Sequence, residues 1–344
     1  MFVYLGADQG SLIRRGGEIK MRRNWTNGIM GVLIGDALGN PVQFMSREEV
    51  ARRGLVKGME AGGAFHMPAG CWTDDGSMTL ASLDSILTKG CVNPDDMMKK
   101  FILWDSEAKY TPTGKAYDQG ITCTDAIYAY ERGAKWDACG RTGEYANGNG
   151  ALMRIMPTCL YAAYMQEKHG ISDKEAVQMV HNATLITHNH LRACTASGLY
   201  FFMCREILRS CGEIGLLADI LQRGIDAGVD FYRQNGIDDE ILHFIRILDV
   251  KKLAEIDESQ IKSSGYVIHT IEAAVWSLVT TNSFQEALLK AVNLGDDADT
   301  VGAIAGGLAD LFYGYESVPE DWKKAMKKRE ELEKICKEAD ERKF

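Results

Sequence analysis

From Trp25 onward apolar residues recur at helical spacing along almost the whole chain, and they nowhere sustain a strict alternation with polar ones. No hairpin dipeptide joins two β-branched runs. A repeat near 3.6 residues puts apolar side chains on one stripe of a helix, whereas a half-buried strand needs a repeat of two. The pattern therefore predicts an all-α protein. The expected helices cover 25–38, 76–88, 94–107, 122–132, 151–166, 173–185, 191–210, 214–228, 238–248, 265–280, 283–292, 299–313 and 320–340. Asn93-Pro94, Ser172 and Asn282-Ser283 carry the polar side chains that satisfy free N–H groups at helix starts.

The chain of 344 residues has only six prolines and no Pro/Ser/Gly-rich linker, so one domain is expected over 25–344. Residues 1–24 are rich in Arg and Lys, and their longest apolar stretch is Phe2 to Leu5, too short for a secretory signal. They read as a loose N-terminal extension, or as a segment upstream of a start at Met21. No apolar run approaches the length of a membrane span. Nine scattered cysteines without a CxxC pair suggest reduced thiols and a cytoplasmic protein. A net charge of −9 offers no general basic face for a nucleic-acid backbone.

Glycine is placed with a purpose. Gly28, Gly31, Gly35 and Gly39 form one helical stripe, and Ala298, Gly302, Gly306 and Ala309 form a second. A glycine inside a helix costs about 0.5–1 kcal/mol relative to alanine. Close approach of another backbone, either of a helix or against a ligand, is what such stripes permit.

Two acidic clusters, Thr73-Asp74-Asp75 and Asp296-Asp297-Ala298-Asp299-Thr300, each precede a helix and are embedded in apolar sequence. One Asp or Thr suffices to cap a helix. Five carboxylates with flanking threonines exceed that need, and buried carboxylates repel unless paired or bound to a cation. Oxygen donors favour Mg²⁺, Mn²⁺ or Ca²⁺ over zinc.

These clusters belong to a longer ordered set. Gly35-Asp36-Ala37-Leu38-Gly39, Thr73-Asp74-Asp75, Gly148-Asn149-Gly150-Ala151-Leu152-Met153-Arg154, Thr187-His188, Ser264-Gly265-Tyr266 and Asp297-Ala298-Asp299-Thr300 follow one another along the chain. The set resembles the ADP-ribosylglycohydrolase family, from about Gly28 to Tyr313. The resemblance implies a single compact orthogonal helical bundle with a central dinuclear metal cleft. It implies two Mg²⁺ (or Mn²⁺) ions held by Thr73, Asp74, Asp75, Asp297, Asp299 and Thr300, with Asp296 turned outward or standing behind the ligands. The implied activity is hydrolysis of the glycosidic bond between ADP-ribose and a modified side chain, or a related ADP-ribose derivative. Two metals about 3.5–4 Å apart would hold the ribose hydroxyls and acidify a water, and carboxylates would stabilise the oxocarbenium-like state at the anomeric carbon.

The resemblance also nominates Asp118 for proton transfer, with Asp75 and Gln43 beside it in the catalytic set. Gly148, Asn149 and Gly150 would lie against the diphosphate and ribose, at the N–H groups opening helix 151–166. His188 would touch the ligand from the opposite wall, and Tyr266 would stack on adenine or ribose. For each of these a plainer reading exists: a helix cap for Asp118, a turn for the glycines, a core residue for His188 and Tyr266. Gln43 stands where many members carry glutamate, and glutamine cannot take a proton at neutral pH. That departure motivates an alternative, an ADP-ribose-binding pseudo-enzyme. An all-α Mg²⁺-dependent diphosphate enzyme is disfavoured, because DDxxD needs an acid where Met78 and Thr300 stand. The absence of a His-Asp dipeptide and of GxxxxGK[ST] argues against an HD phosphohydrolase and a P-loop NTPase.

Overall fold

The structure, a computed structural model, describes residues 25–210 and 216–344. The extension over 1–24 lies outside them. Seventeen α-helices occur among the described residues, joined by short 3₁₀ turns, and the only β-pairing there is isolated bridges. The helices are α1 (Trp25–Gly39), α2 (Arg47–Arg53), α3 (Asp74–Lys89), α4 (Pro94–Glu107), α5 (Ile121–Glu131) and α6 (Trp136–Cys139). They continue with α7 (Met156–His169), α8 (Asp173–Leu185), α9 (Leu191–Arg209), α10 (Leu217–Gln234), α11 (Asp238–Ile241) and α12 (Val250–Ala254). The last five are α13 (Val267–Val279), α14 (Phe284–Val292), α15 (Ala298–Tyr313), α16 (Glu320–Ala325) and α17 (Arg329–Glu341).

The centre is the antiparallel pair α1 and α15, both buried along nearly their whole length. Their small-residue stripes are spent on each other. A Cβ built on Gly35 would stand 1.9 Å from the Gly302 carbonyl oxygen, one on Gly31 2.2 Å from that of Gly306, and one on Gly39 2.4 Å from that of Ala298. The glycines let two backbones touch over three turns, which is the repayment for their helical cost. Helices α9, α13 and α14 pack around α15, while α3, α7 and α17 pack around α1. This pairing sets the site. It brings Gly39, and the loop after it, beside Ala298 at the start of α15.

Most predicted helices lie within two residues of observed ones, and the exceptions have causes. The 151–166 stretch opens as a 3₁₀ turn over Leu152–Arg154, and α7 starts only at Met156, with Pro157 in its first turn. The 320–340 stretch breaks in two. Lys328 takes a left-handed φ of 49°, and Lys327 N–H donates to the Gly70 carbonyl at 3.0 Å. The 238–248 stretch is a single α-turn followed by a 3₁₀ turn over Leu242–Phe244. Helix α10 does not stop at Gly228; Gly224 and Gly228 face Met203 and Leu199 of α9 and permit close packing there. The predicted start of that helix at 214 lies outside the described residues. Helices α2, α6 and α12 were not expected.

Candidate active site

A residue without an assigned role organises the first acidic cluster. Asp36 sits on α1 in an otherwise apolar stretch and is fully buried. Its carboxylate accepts from Thr73 N–H at 2.9 Å and from Gly76 N–H at 2.7 Å. It caps α3 in place of Thr73, whose own side chain makes no cap bond. Burial nevertheless pushes Asp36 up to about 7, against those donors. The sequence signal was present: a lone acid in Gly35-Asp36-Ala37-Leu38-Gly39 has no solvated face to occupy.

With α3 fixed in this way, Thr73, Asp74 and Asp75 are buried and face the start of α15. Thr73 Oγ1 lies 3.2 Å from Asp75 Oδ2 and 3.4 Å from Asp299 Oδ2, although 226 positions separate Thr73 from Asp299. Thr300 is buried beside them, and Asp296 is exposed. The two sequence clusters therefore meet. Asp74, Asp75 and Asp299 are pushed well above the ordinary carboxylate range, first by burial and then by neighbouring carboxylates: Asp118 on Asp74, Asp36 on Asp75 and Asp297 on Asp299. Asp297 is raised by burial, with Asn149 opposing.

Asp118 joins the group from the loop before α5. It adopts a left-handed φ of 62°, and Gly120, not Asp118, stands at the N-cap of α5. Its Oδ2 accepts from Gln43 Nε2 at 2.6 Å. Burial pushes Asp118 up to about 6, and the Gln43 bond pulls the other way. Gln43 itself is buried, and its Oε1 has no hydrogen-bond partner among the described residues. Its loop is strapped to the second acidic cluster: Phe44 N–H donates to the Asp296 carbonyl and Asp296 N–H to the Met45 carbonyl, each at 2.6 Å. Asp297 N–H donates to the Ser263 carbonyl at 2.9 Å.

The Gly148–Gly150 loop forms an adjoining wall. Asn149 Nδ2 donates to Asp297 Oδ2 at 2.5 Å and to Thr270 Oγ1 at 2.9 Å. Its backbone N–H donates to the Gly265 carbonyl, so this N–H is already committed and does not open a helix. Gly148 pairs with Tyr266. His188 lies against this same loop and not across from it, since a Cβ on Gly150 would stand 3.0 Å from His188 Cε1. Arg154, buried, donates to Thr187 Oγ1 at 2.7 Å, and Thr187 Oγ1 is 2.9 Å from His188 Nδ1. Burial, then Arg154, pushes His188 down to about 3, so its ring is neutral. Tyr266 is half-buried at the N-cap of α13, its ring edge-to-face with His269.

The surface depression lined by Asp105, Gln119, Ile121, Thr124, Asp125 and Tyr128 lies on the outer side of α5 and contains none of the clustered carboxylates.

Among the described residues no three His, Cys, Asp or Glu side chains stand as a ready-made cage for an ion. Several carboxylates are instead turned to neighbouring donors: Asp75 to Thr73, Asp118 to Gln43, Asp297 to Asn149. The donor set itself fits hard cations. It consists of oxygens alone, Asp75 Oδ1 is buried without a hydrogen-bond partner among the described residues, and burial followed by neighbouring carboxylates raises Asp75 and Asp299.

The all-α fold thus brings buried carboxylates from two distant stretches together, with a glycine loop beside them. The chain belongs to the ADP-ribosylglycohydrolase family, whose model matches residues 19–343. Its relatives include ADP-ribosyl hydrolases. It is 29% identical over 315 residues to ADP-ribosylarginine hydrolase Tri1 of Serratia proteamaculans, covering 90% of this chain and 77% of that protein. It is 30% identical over 294 residues to the ADP-ribosyl-[dinitrogen reductase] glycohydrolase of Rhodospirillum rubrum, covering 85% and 86%. A solved structure described as an ADP-ribosylglycohydrolase-related protein complex superposes with a TM-score of 0.70 at 28% identity, covering 92% of this chain and 96% of that one. No helix among the described residues is long and apolar enough to cross a membrane.

Proposed function

We propose that this protein is a divalent-cation-dependent hydrolase that releases ADP-ribose from an arginine side chain. The observation that carries the cation is the meeting of Asp75 and Asp299 through Thr73 in a buried, mutually repelling carboxylate group. The linkage is taken from the relative named as an ADP-ribosylarginine hydrolase. Thr73, Asp74, Asp75, Asp297, Asp299 and Thr300 would hold two Mg²⁺ or Mn²⁺ ions. When bound, these supply Lewis-acid polarisation of the ribose hydroxyls and of a water.

The chain's own groups do the rest. The glycine loop brings its backbone close to the ligand, while Asn149 holds Asp297 in place. Asp118, at about 6, is mostly ionised at neutral pH yet basic enough to take a proton from an attacking water. Gln43 cannot exchange a proton; it donates to Asp118 and keeps that oxygen aimed. Remaining negative charge faces the developing oxocarbenium-like centre.

The test is ADP-ribose release from arginine-linked and serine-linked substrates, with and without EDTA, alongside Asp297→Ala. Release from the arginine linkage, lost in EDTA and in the variant, is expected. Cation-independent release, or full activity of Asp297→Ala, overturns the mechanism. ADP-ribose binding without turnover on any linkage favours the pseudo-enzyme reading that Gln43 motivates.

A further inference from the structure

At the edge of the site a single buried cation ties together three segments of the chain. Arg192, in the first turn of α9, has a side chain only 6% exposed. Its Nη1 donates to Glu144 Oε1 at 2.5 Å and to Tyr266 Oη at 3.2 Å. Its Nε donates to Glu240 Oε2 at 3.0 Å, and its Nη2 lies 2.7 Å from His243 Nε2. The partners come from both walls of the glycine loop. Glu144 opens the turn that leads into Gly148, and Asn147 Nδ2 closes that turn onto the Glu144 carbonyl at 2.9 Å. Tyr266 is the residue paired with Gly148 across the loop. Glu240 and His243 belong to the α11 segment, which carries the exposed Leu242 and Ile245.

The two walls are joined directly by the Asn149 side chain on Thr270 Oγ1 and by two backbone links. Asn149 N–H donates to the Gly265 carbonyl, and Val267 N–H donates to the Asn147 carbonyl, each at 3.0 Å. A planar guanidinium can bind Glu144 and Tyr266 from Nη1 while its Nε and Nη2 hold Glu240 and His243; a lysine ammonium, with its donors on one nitrogen, cannot reproduce that fork.

We propose that Arg192 is a positioning residue that clamps the Gly148–Gly150 loop against Tyr266 and so sets the protein's affinity for the ADP-ribose moiety. The inference rests on the proposed function for the ligand, but not for the clamp. Arg192 touches no carboxylate of the Asp75–Asp299 group, so its contribution is to loop geometry and not to the bond-breaking step.

Two measurements on full-length Arg192→Met test it. Amide hydrogen exchange should accelerate at Asn149 and Val267 by at least about tenfold, the scale of one lost charge-assisted hydrogen bond, while amides of α1 and α15 keep wild-type protection. With ADP-ribosylarginine as substrate, KM should rise by about tenfold with kcat changed by no more than about twofold, the signature of lost ground-state binding. Arg192→Lys should fail to restore either value. A folded Arg192→Met with wild-type exchange and wild-type KM overturns the clamp, as does an equal loss in kcat. If Arg192→Met does not fold, Glu240→Gln, which frees one edge of the guanidinium, must show the same exchange change and KM-against-kcat split in part. Wild-type protein that neither binds ADP-ribose nor turns over would sink the proposed function; exchange alone then decides the clamp.

Discussion

Gln43 Nε2 donates to Asp118 Oδ2 at 2.6 Å, joining a loop beside α15 to the loop that opens α5. The bond favours the charged form of Asp118, which burial disfavours. Gln43→Met removes the donor and should push Asp118 above its value of about 6. The base form is then lost at higher pH, so the acid limb of the kcat/KM profile should move up by about one unit, the worth of one hydrogen bond. A profile that moves down, or not at all, would show that Asp118 does not carry the limb.

The carboxylate group should respond to divalent ions even without substrate. Ligand binding to the folded state raises the melting temperature by mass action, and here it also relieves repulsion among Asp74, Asp75 and Asp299. Mg²⁺ or Mn²⁺ should stabilise the wild type well beyond sodium at matched ionic strength. Asp75→Asn and Asp297→Ala should abolish most of that difference. An equal response of both variants and wild type would show that the ions bind elsewhere.

Asp36 should matter to both stability and ion binding. It receives the N–H groups of Thr73 and Gly76 and thereby fixes the turn that presents the first cluster. Asp36→Ala strands two buried donors, at about 1–3 kcal/mol each. Urea unfolding should show a loss of about 3 kcal/mol, with weaker Mg²⁺ binding in the protein that remains folded. Asp36→Asn keeps an acceptor oxygen and should lose less.

The sequence revealed the helical class and the pairing of the acidic clusters for different reasons. Period and caps mark helices locally, so Pro94–Glu107 and Asp173–Leu185 fall where they were expected. The pairing of 73–75 with 297–300 is non-local and was reached through resemblance. What stayed hidden depends on tertiary context. Helix α2 has a local Ser46–Glu49 capping box, but its seven residues bury only Val50 and so carry no apolar period. The postponed start of α7 follows from the hydrogen bonds of the Gly148–Gly150 loop to residues 265–267. Residues such as Asp36 and Arg192 act through partners distant in the chain, and single-chain spacing does not display those.

The glycine stripes make a discriminating pair of variants. Gly35→Ala places a methyl 1.9 Å from the Gly302 carbonyl oxygen, a rigid backbone atom. Gly28→Ala meets Met156 Sδ at 3.0 Å, the flexible part of a side chain. Overpacking that moves backbone costs about 3 kcal/mol or more, and overpacking that moves a side chain costs about 1. Thermal unfolding should therefore separate the two clearly. Similar stabilities would mean that α1 and α15 can slide apart without loss.

Asp310 lies on α15 near Gly31, away from the clustered acids, with both carboxylate oxygens buried. Burial holds it well above the ordinary carboxylate range. The folded state thus keeps a proton that the unfolded chain releases near its ordinary value of about 3.9. A raised folded pKa gives stability that is complete below the unfolded value and is lost as pH rises, at about 1.4 kcal/mol per unit. At pH 7 the wild type therefore carries a cost that Asp310→Asn, of the same shape and without a charge, does not. The variant should melt several degrees above wild type at pH 7, and the gap should narrow as pH falls toward 4. Differential scanning calorimetry at both pH values reads this directly; a gap that widens on acidification would mean that Asp310 is charged and paired in the fold.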